Sequence, residues 1–194
     1  MMNMTDETTQ AGENRIGWDS TAVRLANHLA RQNFPRGDLA ALRRMSPAAA
    51  DTPAFWRLAA QYDLLGGTRL ERKWALIVHG IALMTPTVGG KSAHDPQRSV
   101  GAALYRGSDV GGATALYSET RFNRLLTARG TMLHTLLIRM FRMLASAGVS
   151  FDWREMARFI LNDGYNESRA EQARRRIARS YYREEHRQAS PTTS

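Results

Sequence analysis

Between Gly66-Gly67 and Pro86, apolar residues recur at Leu70, Trp74, Ile77, Val78 and Ile81. Spacings of three and four place all of them on one face of an α-helix, whereas a strand would scatter them over both faces. This is the most regular apolar pattern in the chain, and a face of that kind has to be covered by neighbouring elements. Thr68 and Glu71 stand where a capping box would start the helix. The preceding segments keep the same period. Trp18, Ala22, Leu25, Ala26 and Leu29 form one stripe, with Asp19 and Ser20 as candidate caps and Pro35 and Gly37 as its end. Asp38 opens a second helix that runs to about Met45. Asp51 or Thr52 before Pro53 starts a third, because proline lacks only an N–H that would be unpaired there. Phe55, Leu58, Ala59 and Tyr62 line that helix, and Gly66-Gly67 ends it. Four helices in about 70 residues, with short connections, make a bundle.

Residues 85–98 hold two prolines, two glycines, Lys91 and Arg98, the composition of a linker or exposed loop. Beyond it, Asp95-Pro96 opens a short helix through Tyr105, and Gly107 to Gly112 is a loop. Ser118 starts a helix ending at Gly130; the next spans Thr131 to Ala147, with Leu133, Leu137, Met140 and Leu144 inward and Gly148 as its stop. Asp152 and Glu155 form a second capping box, for a helix to about Leu161. The last helix runs from about Asn166 to the region of His186. No segment alternates with period two. The expected fold is all-α: two small helical bundles joined by a loop-rich linker. The expected divisions are a flexible tail at 1–14, an N-terminal bundle at 15–84, the linker at 85–98, a C-terminal bundle at 99–188 and a tail at 189–194.

The chain carries 27 Lys and Arg against 18 Asp and Glu, a formal charge of +9, and every basic residue except Lys73 and Lys91 is arginine. Asp6, Glu7 and Glu13 fall within the first 14 residues, which hold no basic side chain, so the remainder is more basic still. Arginine's planar fork suits bidentate phosphate contact. A GC-rich codon usage accounts equally well for arginine over lysine, but not for the net charge. At 100° per residue, Arg169, Arg176, Arg179, Arg183 and Arg187 of the last helix share an arc of about 80°. Ala170, Ala173, Ile177 and Tyr181 occupy another such arc, with Glu167, Glu171 and Glu185 between the two. Arginines segregated in this way follow a phosphate backbone; a merely solvated face is the plainer alternative. Arg121 and Arg124, then Arg139 and Arg142, repeat a spacing of three on two further helices, and Arg43 and Arg44 flank a buried face. The expected nucleic-acid-binding residues are Arg43, Arg44, Arg69, Arg121, Arg124, Arg129, Arg139, Arg142, Arg176, Arg179 and Arg183.

Catalytic signals are sparse. Cysteine is absent, and His28, His79, His94, His134 and His186 form no i, i+4 pair, so neither a catalytic residue nor a metal or cofactor site is expected. Arg129 and His134 match the R-x4-H spacing of HEPN-type helical ribonucleases, but Gly130 falls inside the motif and a helix break is expected there. Val88-Gly89-Gly90-Lys91 lacks P-loop spacing. Trp153–Arg179, with Asp163-Gly164 as its turn, also fits a helix-turn-helix, the reading of a free-standing DNA-binding regulator. The start of the chain is polar and acidic rather than signal-like, and the longest apolar run, Ala75 to Met84, is too short to span a bilayer. A cytoplasmic protein without membrane contact is expected.

The blocks G-D-L-A-A-L-R-R (37–44), P-A-F-W-R-L (53–58), the helix from Arg69 to Met84, R-F-N-R-L-L-T-A-R (121–129) and F-D-W-R-E-M-A-R (151–158) follow one another in an order more specific than any one of them. In that order they resemble the CasB family, the small subunit of the type I-E CRISPR surveillance complex, Cascade, over roughly Leu29 to Arg183. The resemblance implies two α-helical bundles and a non-catalytic subunit of an antiviral complex. It implies partners as well: the guide RNA (crRNA), the target and displaced DNA strands, the backbone and large subunits, and a second copy of the chain. Carried over by block, the arginines it favours are Arg44, Arg69, Arg129 and Arg142, while Phe55, Trp56, Leu58 and Trp153 are expected in the cores. The acidic start and the stripe on the last helix lie outside the shared blocks.

Overall fold

A computed structural model describes residues 17–87, 90–106 and 115–189. Its helices are α1 (Trp18–Leu29), α2 (Arg36–Arg44), α3 (Pro53–Gln61), α4 (Thr68–Met84), α5 (Val100–Arg106), α6 (Glu119–Thr127), α7 (Gly130–Ser146), α8 (Trp153–Asn162) and α9 (Glu167–Ala189). No strand occurs among the described residues, and the fold is all-α. The expected loop at 107–112, both tails, and Val88-Gly89 lie outside the described residues.

α4 is the axis of the molecule. Its predicted stripe widens to the whole circumference, since every residue from Lys73 to Ala82 is buried. α1, α2, α3, α7 and α8 all pack on it. Gly80 lets α7 and α8 close on this helix: a Cβ there would stand 2.6 Å from the Phe141 ring and 2.8 Å from that of Trp153. A second close approach joins α5 to α9, where a Cβ on Gly101 would lie 2.2 Å from the Ile177 carbonyl oxygen. Helices from both sides of residues 85–98 thus share one continuous core: α4 meets α7 and α8, and α1 packs on α8. The 90–99 segment is itself tied down, with Asp95 N donating to Phe151 O (3.0 Å) and Asp152 N to Arg98 O (2.8 Å).

Several local expectations need correction. α1 ends at Leu29, so Pro35 and Gly37 do not terminate it; Pro35 precedes α2, and its φ of −60° with ψ of 121° suits the residue before a helix. Neither capping box closes. Thr68 is already helical and Gly67, at φ 90°, holds the cap position, where its φ demands glycine. Asp152 does cap α8 by accepting from Arg154 N, but Glu155 turns away and accepts from Val100 N (2.7 Å). α5 begins at Val100 rather than at Asp95, whose carboxylate instead accepts from Gln97 N. Trp56 is not core: it is 43% exposed, since it sits about 100° round the helix from Phe55 and off the Phe55–Leu58–Ala59 face. Trp153, Phe55 and Leu58 are buried as expected.

Candidate nucleic-acid interface

The basic side chains sort into two groups by what they touch. Arg43, Arg69 and Arg129 are engaged by the protein itself. The Arg43 guanidinium donates to Ala82 O (2.8 Å), to Thr85 O and to Thr87 Oγ1 (3.1 Å), tying α2 to the end of α4. Arg69 donates to the Gly164 carbonyl just past α8. Arg129 turns its Nη1 onto the carbonyls of Leu126, Thr127 and Ala128, closing the end of α6, and its other nitrogens face Glu167 and Glu171 of α9.

Two of these three border an ionic node that sequence reasoning missed. Asp163 and Arg174 form a buried pair at 2.8 Å, with side chains 5% and 4% exposed. Asp163 also accepts from Gly130 N (3.2 Å), the first amide of α7. Arg174 reaches Glu167 at 2.9 Å. Lys73, on buried α4, donates to the carbonyls of Leu161 (2.8 Å) and Asp163 (2.7 Å), satisfying the orphan end of α8. Burial first, then the Arg69 charge, lower Lys73 to about 8, with Asp163 acting the other way. One signal for this node was legible: Arg174 lies on the apolar arc of α9, four residues after Ala170 and three before Ile177.

The second group faces solvent and has no ion-pair partner among the described residues: Arg44, Arg121, Arg124, Arg139, Arg142, Arg176, Arg179 and Arg183. Three of them converge. Burial pushes the Tyr117 phenol up, and Arg121 and Arg124 of α6 together with Arg139 of α7 pull it back down, so all three charges act on one point. Tyr117 is held rigidly, its amide bonded to Leu104 O (2.9 Å) and its carbonyl accepting from Tyr181 Oη (2.8 Å). Tyr181 in turn stacks on Phe122 of α6 at 4.0 Å. The cluster therefore sits on a stiff base, as pre-organised anion recognition requires. Arg142, on the same helix as Arg139, lies close enough to His79 for its charge, after burial, to hold that imidazole below its usual range. On α9, Arg169, Arg176, Arg179, Arg183 and Arg187 are all exposed, although Arg187 pairs with Glu184 at 2.8 Å.

No hydrogen bond joins the ribonuclease-like pair. Arg129 precedes the first residue of α7 in extended backbone, its guanidinium folded back on α6, while His134 is half-buried beside Lys73 and Asp163. Among the described residues no group of His, Asp and Glu could hold a metal ion, and no helix is long and apolar enough to cross a membrane.

The all-α chain thus displays unpaired arginines on several helices, while one acid, Asp163, is drawn into a buried node. Comparison with protein families gives the particular class: residues 38–182 match the model of CRISPR-associated protein Cse2. The chain belongs to that family, the CasB family that the sequence blocks resemble, and family membership makes it a subunit of the CRISPR Cascade complex. Neither the curated proteins nor the solved structures compared with it gave a match.

Proposed function

We propose that the protein is the non-catalytic small subunit of a type I-E Cascade, gripping nucleic-acid backbones without sequence preference to steady the guide–target duplex and the displaced DNA strand of the R-loop. The observation that carries this reading is the convergence of Arg121, Arg124 and Arg139 around Tyr117 on one rigid base, none of the three in an ion pair among the described residues. R-loop formation exchanges one duplex for another of nearly equal stability, so modest phosphate contacts tip it. Such contacts have to ignore sequence because every guide differs, and guanidinium–phosphate pairing does so. Partners in this reading are the guide RNA, both DNA strands, the backbone and large subunits, and a second copy of the chain, acting in the cytoplasm.

The test is target binding by reconstituted Cascade carrying Arg121→Glu, Arg124→Glu and Arg139→Glu in this subunit. The expected result is a less stable R-loop from an intact particle. Unchanged target affinity and lifetime would remove the cluster from the site. Arg44 and Arg142 belong in the same series because they too are exposed and unpaired. Arg69 and Arg129 need separate treatment, since reversing either also disturbs a helix end.

A further inference from the structure

The chain enters the described structure at Gly17, the cap of α1. The next two residues, Trp18 and Asp19, line a cleft whose other walls are α8 and the first turns of α9. Arg169 and Arg176 stand on the α9 wall, exposed and in no ion pair among the described residues. The acids that line the cleft are committed elsewhere. Asp19 is paired with Arg158, and Glu155 is buried and accepts from Val100 N. Arg179 and Arg183 continue the same stripe along α9, again exposed and in no ion pair among the described residues. From Arg169 to Arg183 this row of guanidinium groups runs about 21 Å, at about 1.5 Å per residue.

The segment that leads into this cleft has the opposite charge. Asp6, Glu7 and Glu13 are the only charged side chains among residues 1–14, and the first basic one is Arg15. Glu13 is four residues before Gly17, which puts it within about 14 Å of the cleft rim even in extended backbone. Asp6 is eleven residues before Gly17, a reach of up to about 36 Å, longer than the arginine row. Carboxylate–arginine contacts at a surface are weak one by one. A short tether, however, holds the partner at an effective concentration in the millimolar range, so such contacts form.

We propose that residues 6–13 dock on the arginine row of α9, their three carboxylates standing where phosphates of a bound strand would stand. The consequence rests on the reading of the protein as a nucleic-acid-binding subunit: the acidic segment is a built-in competitor that a strand has to displace. Three carboxylates are a weak rival to a backbone with one phosphate per nucleotide, so a long strand wins and short or sparse polyanions are turned away. Only charge is compared, which keeps the competition blind to base sequence.

The experiment compares binding of oligodeoxythymidine by the full chain with binding by a variant carrying Asp6→Asn, Glu7→Gln and Glu13→Gln. At about 50 mM salt the expected gain in affinity is roughly threefold to tenfold, shrinking as salt screens the contacts. Loss of bulk negative charge would also raise affinity, so the comparison is repeated on two backgrounds. With Arg169→Gln, Arg176→Gln, Arg179→Gln and Arg183→Gln the gain should vanish; with Arg121→Gln, Arg124→Gln and Arg139→Gln it should persist. Equal gains on both backgrounds, or no gain in the full chain, overturn the assignment. A second readout needs no nucleic acid. The chain has no cysteine, so Thr8→Cys carries a single nitroxide label. The label should broaden the amide resonances of Arg169 to Arg183, and the three neutralising substitutions should remove that broadening. Broadening centred on α6 and α7, or broadening that grows with protein concentration and so places the segment on a second copy, refutes the tethered docking. Should no form bind oligodeoxythymidine while the label still broadens α9, the docking stands and the nucleic-acid reading fails.

Discussion

Asp163→Ala is the most informative single perturbation of the fold. Asp163 faces Arg174 at 2.8 Å with both side chains almost wholly buried, and it also accepts the first amide of α7. Removing it strands the buried Arg174 guanidinium and takes from Lys73 the one negative charge that supports its ammonium. Glu167 and Glu171 remain near Arg174 but are 60% and 44% exposed, so water screens what they offer. Breaking one partner of a buried pair costs about 3–5 kcal/mol. For a chain of this size that lowers Tm by roughly 6–20 °C, at about 2–4 °C per kcal/mol. Urea unfolding followed by circular dichroism, with calorimetry for Tm, measures both. Asp163→Ala combined with Arg174→Met should recover part of the loss, because no uncompensated charge then stays behind. A loss below about 1 kcal/mol, in the range of a surface pair, would refute the reasoning.

Gly101→Ala should destabilise by about 1–3 kcal/mol or more, since the new methyl meets the α9 backbone rather than a movable side chain; wild-type stability would mean that α5 and α9 pack less closely than described. Stability should fall as pH drops from about 7 to 5, because burial holds His28, His79, His94 and His134 below the ordinary imidazole value, the unfolded chain therefore binds more protons, and folding free energy is lost as pH falls through the unfolded value. A flat profile in urea titrations across that range would contradict it. The shared core leads us to propose that the bundles at 15–84 and 99–188 unfold together, giving one calorimetric transition, with two separated transitions the contrary result. His134→Ala should leave RNA intact and unchanged in rate of decay beside wild type; RNA cleavage by the wild type that this variant abolishes would restore the ribonuclease reading.

Much of the fold was legible because helical periodicity and breakers are local. Trp74, Ile77, Val78 and Ile81 mark α4, and Ala170, Ala173, Ile177 and Tyr181 mark the buried side of α9, with their spacing alone. Which faces would meet was not legible. Nothing local says that α4 is buried all round, or that Gly80 and Gly101 mark close approaches, because those facts belong to the packing of distant segments. The same limit explains the arginines. Periodicity puts Arg129 and Arg139 on polar faces alike, yet one folds back on helix-end carbonyls while the other joins Arg121 and Arg124 across two helices. Glu155 stood at a capping position by sequence, and only the arrival of α5 turned it toward Val100 and the cleft.

The central claim is that Arg121, Arg124 and Arg139 grip phosphates. Binding of a single strand by the full chain, measured over a range of salt, tests it most directly. Each phosphate contact contributes about −0.7 to the slope of log K against log salt on a single strand, so neutralising all three arginines to glutamine should make the slope shallower by about 2. Parallel lines for wild type and triple variant, displaced or not, would contradict the account.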